Sequence, residues 1–309
     1  MSSPIRLRLG TRASPLARWQ AEWVSARLEE LLGEEVQVEL VHVTTSGDQQ
    51  QEEPIGAGTA PGLFTKEIQR ALLDDRIDLA VHSLKDLPTE EVPGLCLAAV
   101  PERGPVGDVL VCREYASLDE LPEKAAVGTG SLRRRAQLAH VRPDLVMKDI
   151  RGNVDTRLRK LSESGYDAVV LAEAGLRRLG LAEHITEVLS ASIMLPAIGQ
   201  GALGLETRSD DATARNALEK LDHPATHAAV LAERAMLTAL SGGCLAPIAA
   251  WGRVEGGTLK LSGRVLSADG ATRLEASDSA DPADAEPLGR RVAEDLLAQG
   301  AAELIQALR

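Results

Sequence analysis

The chain has 309 residues, enough for about two domains, and its 46 acidic residues outnumber 34 Lys and Arg to give a net charge of −12. Aromatic residues make up only 2%, which disfavours a nucleic-acid-binding protein, because such proteins need a basic face and stacking rings. Apolar runs too short to span a membrane, the lack of an N-terminal secretion signal and only three cysteines favour a cytoplasmic protein without a disulfide framework.

The N-terminal part alternates strand and helix patterns. Apolar periodicity predicts strands at residues 5–9, 36–43 and 78–81 and a helix at 64–73. Ser14 and Pro15 predict a helix start, because serine caps helices and proline suits the first helical position. This alternation predicts a parallel α/β sheet. The intervening segment 46–62 is rich in Gly, Pro and polar residues, which is typical of either a functional lid or a disordered excursion.

A second α/β run starts near Gly107, after a Pro- and Gly-containing crossing at 101–105 that indicates a change of lobe. It has predicted strands at 109–111, 125–127, 145–150 and 168–171, helices starting at 131 and 154, and a further strand and helix at 203–206 and 212–221. The remaining residues differ in pattern. A helix at 225–240, strands at 248–254, 259–265 and 273–276 and one final helix at 287–308 predict a small α+β domain.

Basic residues are concentrated in one part of this acidic chain. The window 131–178 holds 11 basic and 6 acidic residues, a net charge of +5, whereas the rest of the chain carries −17. Such a local concentration favours an anionic ligand held in one place. Four of the basic residues are expected on solvated helix faces: Arg135, Arg142, Arg159 and Lys160.

Arginines follow three predicted strands. Arg133 and Arg134 begin a helix after a glycine-rich turn, Arg151 and Arg157 flank another strand-to-helix turn, and Arg12 lies in the turn after the first strand. Backbone N–H groups at helix starts and guanidinium groups both bind carboxylates or phosphates. Because open α/β sheets bind ligands at the carboxyl ends of their strands, these arginines predict an anion site there. The glycine turn also mimics a dinucleotide fingerprint, but Arg133 occupies its third glycine position.

Two further residues allow more than one interpretation. Asp86 follows a predicted strand, next to Lys85, and is either half of a surface ion pair or a carboxylate at the ligand edge that stabilises a substrate cation. Cys244 lies in a glycine-flanked turn and is either a small turn residue or a nucleophilic or attachment thiol. Cys96 and Cys112 lie in apolar strand contexts and are expected to be buried and inert. No spacing of Cys and His indicates a metal site.

Several motifs of this chain, in the same order along the sequence, resemble those of the porphobilinogen deaminase (hydroxymethylbilane synthase) family. They are Gly-Thr-Arg-Ala-Ser-Pro-Leu-Ala, Gly-Leu-Phe-Thr-Lys-Glu, Val-His-Ser-Leu-Lys-Asp-Leu-Pro, Gly-Ser-Leu-Arg-Arg, Ile-Arg-Gly-Asn-Val-Asp-Thr-Arg, Pro-Ala-Ile-Gly-Gln-Gly-Ala and Gly-Gly-Cys, between residue 10 and about 247.

The resemblance implies a transferase that joins four porphobilinogen molecules head to tail, with release of ammonia, to form the linear tetrapyrrole hydroxymethylbilane. It implies a dipyrromethane cofactor attached to Cys244 by a thioether. It also implies an α/β fold of two periplasmic-binding-protein-like lobes and a small C-terminal α+β domain. The lobes are expected at 1–101 with 201–221 and at 102–200, and the C-terminal domain at 222–309.

The resemblance also assigns roles to individual residues. Asp86 is the expected catalytic carboxylate. The expected cofactor-binding residues are Phe64, Lys85, Thr129, Ser131, Arg133, Arg134 and Arg178. The expected substrate-binding residues are Arg12, Ser14, Arg151, Arg157 and Gln200. A cytoplasmic monomer acting on porphobilinogen is expected, with no metal and no nucleic-acid or membrane partner.

The chain departs from the family pattern at two positions. Pro61 stands near the lid where members often have Gly-Gly-Lys, so a lysine contact from the lid is not expected. Gly130 stands where many members have Ser or Thr, which removes one hydroxyl donor. The main alternative function is a non-catalytic, two-lobed receptor for a small anion, which would normally carry a secretion signal. An oxidoreductase rests only on the imperfect glycine turn.

Overall fold

A computed structural model describes residues 4–44, 65–163, 165–240 and 246–307 of the chain. It divides into two compact units. Unit 1 comprises Met1–Arg103 and Ala202–His227, and unit 2 comprises Gly104–Gly201 and Ala228–Arg309. Each unit therefore contains two separate stretches of the sequence.

The secondary structure alternates through both units before a final strand-rich part. The strands are β1 (Ile5–Thr11), β2 (Val36–His42), β3 (Leu79–Ser83), β4 (Leu95–Ala99), β5 (Asp108–Cys112), β6 (Ala126–Gly128), β7 (Val146–Lys148), β8 (Ala168–Ala172), β9 (Glu187–Val188), β10 (Leu203–Arg208), β11 (Ile248–Glu255), β12 (Thr258–Leu266) and β13 (Arg273–Ala280). The helices are α1 (Pro15–Leu32), α2 (Lys66–Leu73), α3 (Leu132–Val141), α4 (Val154–Glu163), α5 (Glu173–Arg178), α6 (Ala212–Glu219), α7 (Pro224–Ala239), α8 (Ala285–Ala298) and α9 (Ala301–Gln306).

Unit 1 is built on a five-stranded sheet in the order β2-β1-β3-β10-β4. Strands β1, β2 and β3 are parallel, whereas β10 runs antiparallel to both of its neighbours. Apolar side chains of β1, α1 and β10 form the core, with Leu9, Leu28 and Leu205 fully buried. The carboxyl ends of β1 and β3 meet at one edge of the sheet, so the turns that follow Thr11 and Ser83 lie side by side.

The larger part of unit 2 is a second five-stranded sheet, in the order β7-β6-β8-β5-β9. Strands β6, β7 and β8 are parallel, and β5 runs antiparallel to β8 with Asp108 paired to Ala172. The carboxyl ends of the three parallel strands therefore share an edge with the first residue of β5. This edge carries the three arginine-containing segments that follow β6, β7 and β8.

The rest of unit 2 is a three-stranded antiparallel sheet, β11-β12-β13, packed against α7 and α8. The packing is close, because a Cβ added at Gly252 would lie 2.5 Å from the Ala229 carbonyl oxygen. The carboxylate of fully buried Glu233 on α7 accepts the Gly199 and Gly252 N–H groups, both at 2.7 Å. One side chain thus ties segment 196–200 to the small sheet.

The predicted fold class, α/β with two lobes and a small α+β C-terminal part, is confirmed. The parallel sheet predicted for the N-terminal part is wrong in detail, because β10 runs antiparallel to its neighbours in the unit 1 sheet. The predicted single final helix is also wrong. It is divided into α8 and α9 at Gly300, whose φ of 101° lies in the left-handed region that ends helices.

Arg142 corrects another sequence-based expectation. Its guanidinium donates to the carbonyl oxygens of Leu118 and Leu121, at 2.7 and 2.8 Å, and pairs with Asp144. Arg142 therefore joins the end of α3 to the segment before β6 and is not a solvated helix-face residue.

Candidate active site

An open pocket lies at the carboxyl edge of the unit 1 sheet. Its walls come from the turn after β1, the first turns of α1, the start of α2 and the end of β3. The lining residues are Arg12, Ser14, Leu16, Ala17, Gln20, Thr65, Ile68, Val81, His82, Ser83 and Asp86. The structure thus brings three of the predicted site residues, Arg12, Ser14 and Asp86, around one space.

The turn after β1 is fixed by its own side chains. Ser14 caps α1 as predicted, with its Oγ accepting the Ala17 N–H at 3.3 Å, and Pro15 takes the first helical position. Thr11, which is buried, donates its hydroxyl to the Ala17 carbonyl at 3.0 Å. A Cβ at Gly10 would lie 2.3 Å from Cδ1 of Ile77, so a larger residue at this position would displace the buried Ile77 side chain. These constraints hold Arg12 at the pocket.

Asp86 belongs to a short 3-10 turn, Leu84–Asp86, directly after β3. Leu84 anchors the turn, since its side chain is buried and its N–H donates to the Ala202 carbonyl at 3.0 Å. Both charged residues of the turn, Lys85 and Asp86, are exposed. Asp86 lines the pocket, whereas Lys85 is not among the lining residues. Within the turn, only the carboxylate is placed to meet a group in this space.

A buried polar network supports the pocket from behind. Glu206 on β10 accepts hydrogen bonds from Gln69 Nε2 on α2 and pairs with His82 Nε2 on β3, both at 2.9 Å. All three residues are buried, and His82 also lines the pocket. The sequence did not predict this network, because Glu206 is 137 residues from Gln69 and 124 residues from His82 and the three residues share no motif.

The predicted anion site of unit 2 is centred on the start of α3. Ser131 caps the helix by accepting the Arg134 N–H at 3.4 Å, and Thr129, fully buried, accepts the Ser131 N–H at 3.2 Å. Arg133 and Arg134 occupy the first turn of α3 and are both buried. A Cβ at Gly130 would lie 3.2 Å from the Ile150 carbonyl oxygen, so glycine at this position fits the close approach of two turns.

Both arginines bind a fully buried carboxylate that the sequence analysis did not single out. Asp108 Oδ2 lies 2.8 Å from Arg133 Nη1, and Asp108 Oδ1 lies 2.8 and 2.7 Å from Nε and Nη2 of Arg134. Burial opposes ionisation of Asp108, but the two guanidinium groups outweigh it and hold its pKa well below the ordinary range. Burial lowers the pKa of Arg133 despite the attraction of Asp108.

Arg178 and Gln200 lie at the edge of the same unit. Arg178, at the end of α5, donates to the Gly201 carbonyl at 2.7 Å, and burial lowers its pKa to about 10. Gln200 is buried, and its amide donates to the carbonyls of Val106 and Gly107 at 2.8 and 3.2 Å. Arg178 is therefore hydrogen-bonded to the backbone at Gly201, and Gln200 to the backbone at Val106 and Gly107.

The turn after β7 carries the last two predicted arginines. Arg157 donates its Nε to the Gly152 carbonyl at 2.9 Å, and both Arg151 and Arg157 are half-buried. Gly152 adopts a φ of 108°, a conformation that favours glycine. The turn therefore keeps Arg157 close to its own backbone at the carboxyl edge.

Some predicted features lie outside the described residues: Phe64, Cys244 and the segment 46–62. The thiols of Cys96 and Cys112 are half-buried, and not fully buried as expected. Desolvation raises the pKa of both thiols, that of Cys112 to about 11, which disfavours the reactive thiolate. Among the described residues, no group of three or more His, Cys, Asp and Glu could hold a metal ion, and no helix has the length and apolar character of a membrane span.

Two family models match this chain. The model "Porphobilinogen deaminase, dipyromethane cofactor binding domain" matches residues 7–216, and "Porphobilinogen deaminase, C-terminal domain" matches residues 227–298. Among solved structures, the methionine-binding protein MetQ is similar at a TM-score of 0.45 with 14% identity, covering 70% of this chain and 89% of that chain.

Curated relatives match over almost the whole chain. The porphobilinogen deaminase of Geobacter metallireducens is 48% identical over 303 residues, which is 98% of this chain and 95% of the relative. The porphobilinogen deaminase of Geobacter sulfurreducens is 49% identical over 300 residues, covering 97% and 94%. This chain therefore belongs to the porphobilinogen deaminase family, the transferases that build a linear tetrapyrrole from porphobilinogen.

Proposed function

We propose that the pocket of unit 1 is where this porphobilinogen deaminase activates its substrate, with Asp86 as the catalytic carboxylate. The enzyme condenses four porphobilinogen molecules head to tail into hydroxymethylbilane and releases ammonia. The observation that carries the proposal is the convergence of Arg12, Ser14 and Asp86 on one pocket, which offers both a cation and a carboxylate. Porphobilinogen has the matching chemistry, since its acetate and propionate are anionic and its aminomethyl group is cationic.

In the proposed mechanism, Arg12 and Ser14 bind the acid groups of the substrate and orient its ring. As the C–N bond to the departing ammonia breaks, positive charge develops on the pyrrole and its methylene carbon. The Asp86 carboxylate stabilises this charge electrostatically from close to the pyrrole nitrogen. A new C–C bond then forms at the methylene carbon, and the attacking pyrrole loses its α-proton. Asp86 is placed to assist the proton transfers of both steps.

The donor set of unit 2 fits a dipyrromethane cofactor. Arg133, Arg134 and Asp108 form a buried cluster with two positive charges and one negative charge. Such an excess of buried positive charge favours binding of an anion, and guanidinium groups match carboxylates in geometry. When bound, the dipyrromethane supplies the nucleophilic pyrrole carbon to which the first substrate unit is joined.

The remaining roles are proposed by motif. Arg133, Arg134 and Arg178 hold cofactor carboxylates, with Ser131 and Thr129 shaping the turn and Phe64 and Lys85 beside the cofactor. Arg151, Arg157 and Gln200 bind the growing chain, and Cys244 attaches the cofactor by a thioether. We also propose a cytoplasmic monomer without nucleic-acid or membrane partners, for which size-exclusion chromatography is the test of the oligomeric state.

The three-part division remains a proposal as well. It assigns 1–101 with 201–221 to the catalytic lobe, 102–200 to the carboxylate-binding lobe and 222–309 to the domain with the attachment cysteine. Three separate sheets and their own apolar cores support it. The small sheet nevertheless belongs to the same compact unit as the second lobe.

The test of the proposed function is Asp86→Asn, which removes the charge and keeps the shape of the side chain. We expect a folded, cofactor-loaded protein that loses nearly all turnover of porphobilinogen, measured as ammonia release and product formation. Glu90→Gln, at an exposed position outside the pocket, is the matched control and should turn over normally. Normal turnover by Asp86→Asn would remove Asp86 from the mechanism. Binding of porphobilinogen without ammonia release by the unaltered chain would favour the small-anion receptor instead.

A further inference from the structure

We propose that Asp108 is the positioning residue of the cofactor site. It holds the guanidinium groups of Arg133 and Arg134 in the geometry in which they receive the carboxylates of the dipyrromethane. The inference rests on the proposed role of these two arginines in binding the cofactor. It adds to the proposed cofactor site a residue that is negatively charged and belongs to none of the sequence motifs.

The sheet topology places Asp108 where it can do this. As the first residue of β5, which runs antiparallel to β8, Asp108 pairs with Ala172 at the carboxyl end of β8. Its side chain therefore reaches the edge at which α3 begins, although 25 residues separate it from Arg133 in the sequence. Asp108 is fully buried, so its carboxylate cannot be hydrated and depends on its two arginine partners.

The contacts fix the direction of both guanidinium groups. Asp108 Oδ1 receives two nitrogens of Arg134, while Arg134 Nη1 donates to the Val170 carbonyl at 2.9 Å. Asp108 Oδ2 binds Arg133 Nη1, which also donates to the Leu195 carbonyl at 2.6 Å. Arg134 is thus held through all three of its guanidinium nitrogens, and Arg133 is held through Nη1. Guanidinium groups ordered before the ligand arrives lose less conformational freedom on binding it.

Charge balance supports a positioning role over a purely structural one. Without Asp108, two guanidinium groups would be buried side by side and would repel each other. With Asp108, the cluster keeps one net positive charge, which is enough to attract a carboxylate. Arg178 adds positive charge at the same edge, since it lies at the end of the helix that follows β8. If Arg133 and Arg134 each had a carboxylate of their own, the cluster would have no net positive charge to attract an anionic ligand.

Unit 1 contains a matched arrangement for comparison. Asp78 accepts hydrogen bonds from Arg8 Nε and Nη2, at 3.0 and 2.7 Å, and from Arg208 Nη2 at 3.1 Å. Like Asp108, Asp78 is a buried aspartate that bridges two arginines. None of these three residues lines the pocket. Because the Asp78 cluster lies outside the pocket and outside the proposed cofactor site, Asp78→Asn controls for the loss of a bridging carboxylate.

The experiment compares Asp108→Asn with Asp78→Asn in the full chain. The fraction of purified protein that carries the cofactor is read from intact mass, and folding from the urea midpoint and the circular dichroism spectrum. We expect Asp78→Asn to be less stable but loaded like the unaltered chain. Asp108→Asn should also be less stable, but its folded protein should show cofactor loading reduced at least about tenfold, the size of effect known for residues that orient metal ligands.

Further variants separate the possible failures. Asp108→Glu keeps the negative charge but moves it by the length of one methylene. This variant should remain folded and also carry little cofactor, so it replaces Asp108→Asn in the comparison if Asp108→Asn does not fold. The inference would be overturned if Arg133→Met loads poorly while a folded Asp108→Asn, or Asp108→Glu, loads the cofactor normally. The proposed cofactor site would then remain intact. Normal loading by both Arg133→Met and Arg134→Met would instead overturn the proposed cofactor site, and the inference with it.

Discussion

The arginines of α3 serve two purposes at its two ends. At the first turn, Arg133 and Arg134 share one buried carboxylate and keep a net positive charge. Directly after the last turn, Arg142 pairs with Asp144 and donates to two loop carbonyls. The difference decides which end can receive an anionic ligand. The anion-binding role of the first turn was predictable, because the strand-to-helix turn is visible in the sequence. The contacts of Arg142 were not predictable, because its carbonyl partners lie in a segment without a recognisable pattern.

At the residue scale, we predict that Cys244 carries the cofactor. The intact mass of the purified chain should exceed the sequence mass by two porphobilinogen units less two ammonia, and peptide mapping should place the addition on Cys244. Cys244→Ala should lack any covalent pyrrole, because no thioether can form. Cys112→Ala is the control, since desolvation already disfavours its thiolate. Retention of the adduct by Cys244→Ala would assign the attachment to another residue.

A second residue-scale prediction concerns Glu206. Replacing it with Leu leaves the donors of Gln69 and His82 buried without their acceptor, which should cost on the order of 3 kcal/mol in free energy of unfolding. The measurement is urea denaturation followed by circular dichroism. Glu219→Leu, at an exposed position on α6, makes the same chemical change without burying a donor and should leave the midpoint nearly unchanged. Equal midpoints for the two variants would show that the network contributes nothing to stability.

At the scale of elements, most strand and helix positions followed from apolar periodicity, but strand direction did not. Periodicity reports which faces of a strand are buried and contains no information on its polarity. The antiparallel direction of β5 and β10 was therefore not predicted, and Asp108 and Glu206 on these strands were missed. Asp108 lies on β5, and Glu206 lies on β10. The site residues that sequence reasoning did locate follow parallel strands, where turn motifs are visible.

Gly300 provides the test at this scale. Its φ of 101° separates α8 from α9, so Gly300→Ala forces a side chain into a strained backbone conformation. We expect a loss of about 1 kcal/mol in free energy of unfolding, measured by urea denaturation. Glu294→Ala, at an exposed position within α8, should be neutral or slightly stabilising. A stabilised Gly300→Ala would mean that the two helices can join into the single helix that the sequence pattern suggested.

At the scale of the whole molecule, the two buried aspartates predict the response to acid. The arginine partners hold the pKa of Asp78 and Asp108 below their ordinary values in the folded state, against the effect of burial. Their contribution to stability is therefore complete above about pH 5 and is lost as the pH falls through and below the ordinary pKa of about 4. Urea midpoints measured from pH 7 to pH 3 should decrease, and the decrease should be smaller in Asp108→Asn. An unchanged pH profile in that variant would exclude this contribution.

The position of β10 has a consequence for synthesis on the ribosome. Strand β10 lies between β3 and β4, and it pairs Leu203 with Ser83. When the first 103 residues have left the exit tunnel, β3 and β4 still lack the strand that joins them. The N-terminal unit therefore cannot complete its sheet until the first stretch of unit 2 has been translated. An exposed strand edge must persist during that interval, so the nascent chain offers chaperones a binding site that the finished enzyme no longer has.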